Sequence, residues 1–155
     1  KRKEKWKKKR KRKEKEKEKE KEQKEKQDKE FVDLIAQMKV VLGEQVKDIR
    51  LSSKLTDSPV CLVADDGDMD IAMEQLMAQR DTNYKGAARI LEINGDQSLI
   101  KNMKTLLSKK ENNGLVSDAG TLLFEQARLM EGKMPSDPAQ FSKIMNQFLL
   151  KVIPE

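Results

Sequence analysis

The first 30 residues contain a single apolar side chain, Trp6, among 18 lysines and arginines and nine acidic residues. A segment of that composition cannot bury enough apolar surface to offset the conformational entropy that it loses on ordering. The packed part of this 155-residue chain is therefore confined to residues 31–155. A single domain of that length can bury about two thirds of the surface that its unfolded chain exposes.

We call residues 1–30 the leader. It carries a net charge of +9, whereas residues 31–155 carry 15 basic and 18 acidic side chains. Lysine and glutamate alternate from Lys13 to Glu22, which in a helix places opposite charges at i,i+3 but like charges at i,i+4. We therefore expect the leader to be disordered or marginally helical, a solvated linker or tail. Its basic start, residues 1–13, leaves open an alternative function in binding nucleic acid or an anionic surface.

Composition excludes several classes of active site. The chain has no histidine, which excludes imidazole acid–base catalysis and imidazole metal ligands. Its one cysteine, Cys61, cannot form an internal disulfide or a multi-thiolate zinc site, and its apolar neighbours favour an inert buried thiol. The acidic turn around Asp66 lacks the glycine and glutamate of a calcium loop, and no glycine-rich phosphate motif occurs. We predict no catalytic residue, no metal site and no cofactor within these residues.

No apolar run approaches the roughly 20 residues of a membrane span. The basic N-terminus is not followed by the apolar stretch of a signal peptide. We therefore expect no membrane partner and a reducing, soluble compartment.

Residues 31–155 are expected to adopt an α+β fold, a small three-stranded sheet with packed helices. Apolar periodicity and turn residues predict strands at 45–51, 60–64 and 89–93. They predict helices at 31–42, at 69–79 with Asp68 as N-cap, and after the turn at 94–96. Beyond a polar break at 109–114 come two helices and no further strand, at 117–131 and from Pro138 onward. The second has the strongest start signal, with Asp137 as cap, Pro138 in the first turn and Gln140 three residues after the cap.

Two apolar surfaces each allow two interpretations. The terminal helix pair has more apolar residues than two exposed helices on a small sheet need, so it is either core or a self-association face. The second surface is a methionine-rich stripe at i, i+4, i+7 and i+8, formed by Met69, Met73, Leu76 and Met77. Because Ile71, Ala72 and Ala78 make the other side of that helix apolar too, the stripe is either core or a flexible binding surface. Pattern alone favours core in both cases.

Four ordered blocks resemble the C-terminal domain of the bacterial ninety-kilodalton heat-shock chaperones of HtpG type. The longest is LGEQVKDIRLSSKLTDSP, residues 42–59. It is followed by Asp68-Met69, by ILEIN at residues 90–94 and by MNQFLL at residues 145–150. The resemblance covers about residues 31–155. One departure is Asn94-Gly95, where the family usually has Asn-Pro. The eukaryotic relatives end in an acidic pentapeptide that recruits helical-repeat cochaperones, whereas this sequence ends in KVIPE, so we do not expect that class of partner.

The resemblance implies a homodimerisation and client-binding domain of an ATP-dependent chaperone. In the family the last two helices of each protomer form an intermolecular four-helix bundle. Carried onto this sequence, the interface positions are Leu122, Leu123, Phe124, Ala127, Phe141, Ile144, Met145, Phe148 and Leu149. The family also exposes an amphipathic helix to partly unfolded client proteins, and the matching positions are Met69, Met73, Leu76 and Met77.

The resemblance also implies what these residues do not do. The family's ATPase lies in an N-terminal domain without a counterpart here, so ATP and magnesium are expected for the parent protein only. The implied location is the bacterial cytoplasm, and no specific nucleic acid is expected as a partner.

Overall fold

The structure is a computed structural model that describes residues 1–52, 57–83 and 86–155, without the side chain of Ile71. Parts of the loops predicted at 52–59 and 81–86 thus lie outside the described residues. The chain divides into two compact units, Lys1–Val32 and Asp33–Glu155. The division falls two residues after the boundary that we predicted. We describe each unit by itself.

The leader forms one continuous helix, α1 (Arg2–Glu30), in place of the disordered or marginally helical segment that we expected. None of its side chains is buried. Lysine, arginine and glutamate are all strong helix formers, and the alternating half places opposite charges at i,i+3. The expectation rested on the lack of apolar burial and on the like charges at i,i+4, and it gave too little weight to the intrinsic helix propensity of these residues.

The second unit contains the predicted three-stranded sheet. Its strands are β1 (Val46–Leu51), β2 (Val60–Val63) and β3 (Arg89–Ile93), in the order β1-β3-β2. The central strand β3 pairs in parallel with β1 and antiparallel with β2. Leu91 lies opposite Ile49 on one side and Leu62 on the other. All three side chains are buried, so this row forms the middle of the core.

Among the described residues, five α-helices follow the leader helix. They are α2 (Val32–Leu42), α3 (Ile71–Arg80), α4 (Ser98–Leu106), α5 (Asn113–Met130) and α6 (Pro138–Val152). Helix α5 contacts β2, α4 and α6, and Val116 and Phe124 on it are buried. Gly120 of α5 lies against α2, where a Cβ would stand 3.4 Å from the Met38 side chain. The chain reverses after α2 at Gly43, whose φ of +53° is in the left-handed region that favours glycine.

Two predicted helix starts were wrong. Helix α3 begins at Ile71 and not at Met69, because Asp70, and not Asp68, supplies the cap by accepting the Met73 backbone N–H at 2.7 Å. Helix α5 begins at Asn113, four residues before the predicted start. Asn113-Gly114 indicated a break, but burial of Val116 in the core stabilises helix over the local preference. None of the helices within the described ranges is both long and apolar enough to cross a lipid bilayer.

The predicted cap of α6 is confirmed, since the Asp137 carboxylate accepts the Gln140 backbone N–H at 3.0 Å. We expect Asp137→Ala to lower the free energy of unfolding by about 1 kcal/mol, because the N–H loses its acceptor. Asp137→Asn keeps an acceptor oxygen and should change stability much less. Urea unfolding at one fixed protein concentration measures both variants. Equal losses in the two variants would contradict a capping role.

Candidate interaction surfaces

The methionine surface consists of Met69, Met73, Leu76 and Met77, and all four side chains are exposed. Their exposed fractions are 40%, 52%, 43% and 38%. Met73, Leu76 and Met77 share one face of α3, and Met69 lies just before the helix. Ala72 and Ala78, on the other side of the helix, are exposed as well. Within one copy of the chain the stripe is therefore surface and not core.

A buried ion pair holds α3 against the sheet. Glu74 of α3 and Arg89 of β3 are each only 3% exposed, and the Arg89 Nη2 donates to Glu74 Oε2. Arg89 Nη1 also donates to the Met69 carbonyl at 2.6 Å. The backbone N–H of Ala87 donates to Glu74 Oε1 at 2.7 Å. The one side of α3 that faces inward is thus attached by charge and hydrogen bonds, which leaves the methionines on the outside.

Sequence reasoning missed this pair. Glutamate on a helix is ordinarily solvated, so Glu74 drew no attention beside the methionines. The available signal was Arg89, a charge at the start of an otherwise nearly apolar central strand. Gly86 is part of the same arrangement, because its φ is +70° and a Cβ there would lie 3.3 Å from Glu74 Oε1.

The end of α5 approaches α3 from the other side. Gln75 Nε2 donates to the Glu131 carbonyl oxygen at 2.8 Å. Lys133 Nζ lies 3.5 Å from Glu131 Oε2 and 3.9 Å from Glu74 Oε2. Between these groups is a cavity of about 340 Å³. Glu74, Gln75, Glu131 and Lys133 all line it, and their contacts anchor α3 to the end of α5.

The nine predicted interface positions fall into two groups, those buried within the single chain and those that keep exposed surface. Leu123, Phe124, Ala127 and Ile144 are buried within the single chain and belong to its core. Leu122, Phe141 and Phe148 are half-buried, and Met145 and Leu149 are exposed. Further exposed apolar residues, which we did not predict as interface positions, are Leu129, Met130, Leu150, Val152 and Ile153. The terminal helix pair is therefore both core and apolar surface.

The exposed side of α6 is a continuous apolar stripe. Phe141, Met145, Phe148, Leu149 and Val152 recur at i, i+4, i+7, i+8 and i+11, which places them on one helical face. We call these five residues the α6 stripe. Ile144, which faces the core, is 4% exposed, whereas Leu149 and Val152 are 49% and 77% exposed.

The turn between α5 and α6 is fixed by a buried carboxylate. Glu125, 3% exposed, accepts the Ser136 backbone N–H at 2.9 Å and the Ser136 hydroxyl. Arg128 lies 3.7 Å from Glu125 Oε2, donates to the Met134 carbonyl at 3.1 Å and has its guanidinium carbon 5.9 Å from the Phe124 ring centroid. These contacts set the direction in which α6 leaves the turn, and so the direction of its stripe.

Other charged groups of this unit form structural ion pairs at the surface. Lys47 Nζ lies 3.0 Å from Asp65 and 3.0 Å from Asp68, and these hydrogen bonds raise the pKa of Lys47 while Lys47 lowers the pKa of Asp65. Among the described residues, no three potential ligands are grouped to hold a metal ion. Cys61 is half-buried and not fully buried as expected. Burial, followed by the charges of Glu92 and Glu131, raises the pKa of its thiol, which disfavours the reactive thiolate.

Removing one member of the buried ion pair leaves an uncompensated charge under α3. We expect Glu74→Leu to lower the free energy of unfolding by about 3–5 kcal/mol. Adding Arg89→Met removes that charge and should restore at least about 1 kcal/mol. Chemical denaturation of both single variants and the double variant measures this coupling. A double variant as unstable as the sum of the single losses would show that the two side chains are not coupled.

Comparison with known proteins matches this chain to one family. The family model described as Hsp90 protein matches residues 3–154. The chaperone protein HtpG of Roseobacter denitrificans is 41% identical over 117 residues, which cover 74% of this chain and 19% of that protein. The chaperone protein HtpG of Paramagnetospirillum magneticum is 41% identical over 116 residues, covering 75% of this chain and 19% of that protein.

The chaperone protein HtpG of Coxiella burnetii is 42% identical over 123 residues, covering 79% of this chain and 19% of that protein. The chain thus spans about one fifth of the length of these relatives. The match of the family model extends over nearly the whole chain. The chain belongs to the Hsp90 protein family.

Proposed function

We propose that residues 31–155 are the C-terminal dimerisation and client-binding domain of a bacterial HtpG-type chaperone. The observation that carries the proposal is the α6 stripe, an apolar helical face on which Met145, Leu149 and Val152 are exposed and Phe141 and Phe148 are half-buried. The sequence blocks that resemble the family's C-terminal domain and the family membership of the chain support the same assignment.

The dimer in this proposal is a four-helix bundle made of α5 and α6 from two copies. Its contact residues are Met145, Leu149 and Val152, with Phe141, Phe148 and Leu122 at the edges of their exposed surface. A groove of about 380 Å³ beside Phe148, lined also by Leu115 and Leu150, offers further apolar surface. An isologous interface lets one stripe serve both copies, because the same patch is used twice.

The role of the dimer in the whole protein is tethering. The whole protein would bind ATP and magnesium in another domain, and a dimer of residues 31–155 would hold two such ATPase domains at high effective concentration. Their association then becomes intramolecular and needs little intrinsic affinity. The proposed location is the bacterial cytoplasm.

The client-binding part of the proposal rests on the methionine surface. Methionine side chains are flexible and polarisable, so an exposed set can adapt to many apolar partners. The buried Glu74–Arg89 pair fixes the helix beneath, so the surface is presented on a rigid base. Partly unfolded client proteins, which expose apolar segments, are the partners that fit it.

A charge in the α6 stripe tests the dimer. We expect residues 31–155 to form dimers at micromolar concentration in sedimentation equilibrium, and Leu149→Asp to weaken dimerisation at least about 100-fold. The reason is that each dimer would bury two unpaired carboxylates, at several kcal/mol, and every 1.4 kcal/mol is a factor of ten.

The matched control is Val40→Asp, which places the same charge on an exposed apolar residue of α2. Val40 is 80% exposed, and this variant should dimerise like the parent sequence. A wild-type monomer throughout, or a Leu149→Asp variant that stays fully dimeric, contradicts the proposed bundle.

Client binding is tested by making the methionine surface polar. We expect Met73→Ser with Met77→Ser to weaken binding to a reduced and alkylated, permanently unfolded protein about tenfold. Each replacement removes apolar surface whose burial against the client protein contributes on the order of 1 kcal/mol to the binding free energy. Circular dichroism and sedimentation should show an unchanged fold and dimer.

The control variant is Val40→Ser with Met134→Ser, since both of these residues are more exposed than Met73 and Met77 but lie outside the methionine surface. It should bind the unfolded protein normally. Unfolding of the Met73/Met77 variant would instead show that the stripe supports the core, and equal weakening in both variants would show that any exposed apolar residue contributes.

A further inference from the structure

The positive charge of the leader is concentrated in the first half of α1. Residues 1–13 contain 11 lysines and arginines and one acidic residue, Glu4. Residues 14–30 contain seven basic and eight acidic residues and are close to neutral. All side chains of both halves are exposed. We call residues 1–13 the basic segment.

The charge density of the basic segment matches that of a nucleic acid duplex. At a rise of 1.5 Å per residue, 13 helical residues span about 20 Å, so a net charge of +10 amounts to about one positive charge per 2 Å. Double-stranded DNA carries one negative charge per about 1.7 Å of its axis. A helix laid along the duplex could therefore neutralise phosphates over its full length.

The segment is under electrostatic repulsion without such a partner. Basic residues occupy i, i+3 and i+4 positions relative to each other, as Lys5, Lys8 and Lys9 do, and like charges at these spacings destabilise a helix. Phosphates would relieve this repulsion, so helix formation and anion binding favour each other here.

The arrangement of the charges favours a duplex over a membrane surface. Helices that lie in a bilayer interface need an apolar face to insert, and the only apolar side chain of the segment is Trp6. Lysines and arginines occur on all sides of the helix. A groove of a duplex can contact several sides of such a helix, whereas a flat lipid surface can contact one.

We propose that the basic segment of α1 binds double-stranded nucleic acid through its phosphates, without sequence preference. No aromatic series is present to stack unpaired bases, no asparagine or glutamine occurs in residues 1–13 to read adenine, and the lysines and arginines lie on all sides of the helix and not on one face that could follow a set of base edges. The partner is therefore recognised by its backbone charge. This interaction is separate from the proposed dimerisation and client-binding surfaces.

The test measures binding of the full chain to a fluorescent 20-base-pair DNA duplex at several salt concentrations. Each phosphate contact contributes about −0.9 to the slope of log K against log salt. We expect the triple variant Lys7→Gln, Lys8→Gln and Lys9→Gln to make this slope less steep by about 2.7. The control is Lys17→Gln, Lys19→Gln and Lys21→Gln, which removes the same charge from the neutral half and should change the slope by less than 1.

Two further measurements complete the test. A second duplex of unrelated sequence should bind equally well, and the fluorescence of Trp6, the only tryptophan of the chain, should change on binding. Equal effects of the two triple variants, no binding at low salt, or tighter binding to vesicles containing anionic lipid would each overturn the proposal.

Discussion

The buried ion pair between Glu74 and Arg89 determines how the methionine-bearing helix is presented. Apolar burial would have turned the face with Met73, Leu76 and Met77 inward, since these are large apolar side chains. Instead Glu74 faces inward and is satisfied by Arg89 and by the Ala87 N–H. Buried ion pairs contribute little net stability compared with apolar packing. Their effect here is on orientation, because only one rotation of α3 about its axis brings Glu74 to Arg89.

In the terminal hairpin, formed by α5 and α6, the apolar residues are divided between the core and the surface. Its helices have enough apolar residues for two faces, and α5 and α6 use one of them to close the core through Phe124 and Ile144. The second face, the α6 stripe, remains outside. Glu125, buried at the turn and bonded to Ser136, fixes the angle between the helices. The same sequence pattern therefore describes a helix pair with one face in the core and one exposed apolar face.

Regular local signals made much of this fold predictable. Strand β3 has the predicted bounds, and the Asp137 cap follows from Asp-Pro and the apolar spacing after it. Predictions failed where a distant contact overrides local preference, as burial of Val116 does at the start of α5. The sequence also could not show which of Leu123, Phe124 and Leu149 face the core, because the division depends on where β2 lies against α5. The Glu74–Arg89 pair could not be predicted from the sequence either. It depends on how α3 packs against β3, and a single glutamate on a helix forms no periodic pattern that would indicate this contact.

The two proposed surfaces are mechanically connected in one protomer. Gln75, on α3 next to Glu74, donates to the carbonyl of Glu131 at the end of α5, and Lys133 lies near both Glu74 and Glu131. A rotation of α3 that turned the methionines inward would separate Glu74 from Arg89 and Gln75 from Glu131 together. Leaving the buried Glu74 and Arg89 unpaired is costly, so this pair holds α3 in place, and the exposed Gln75–Glu131 bond links α3 to the end of α5. The methionine surface is therefore connected to the base of the hairpin, whose turn is itself fixed by Glu125 and Ser136.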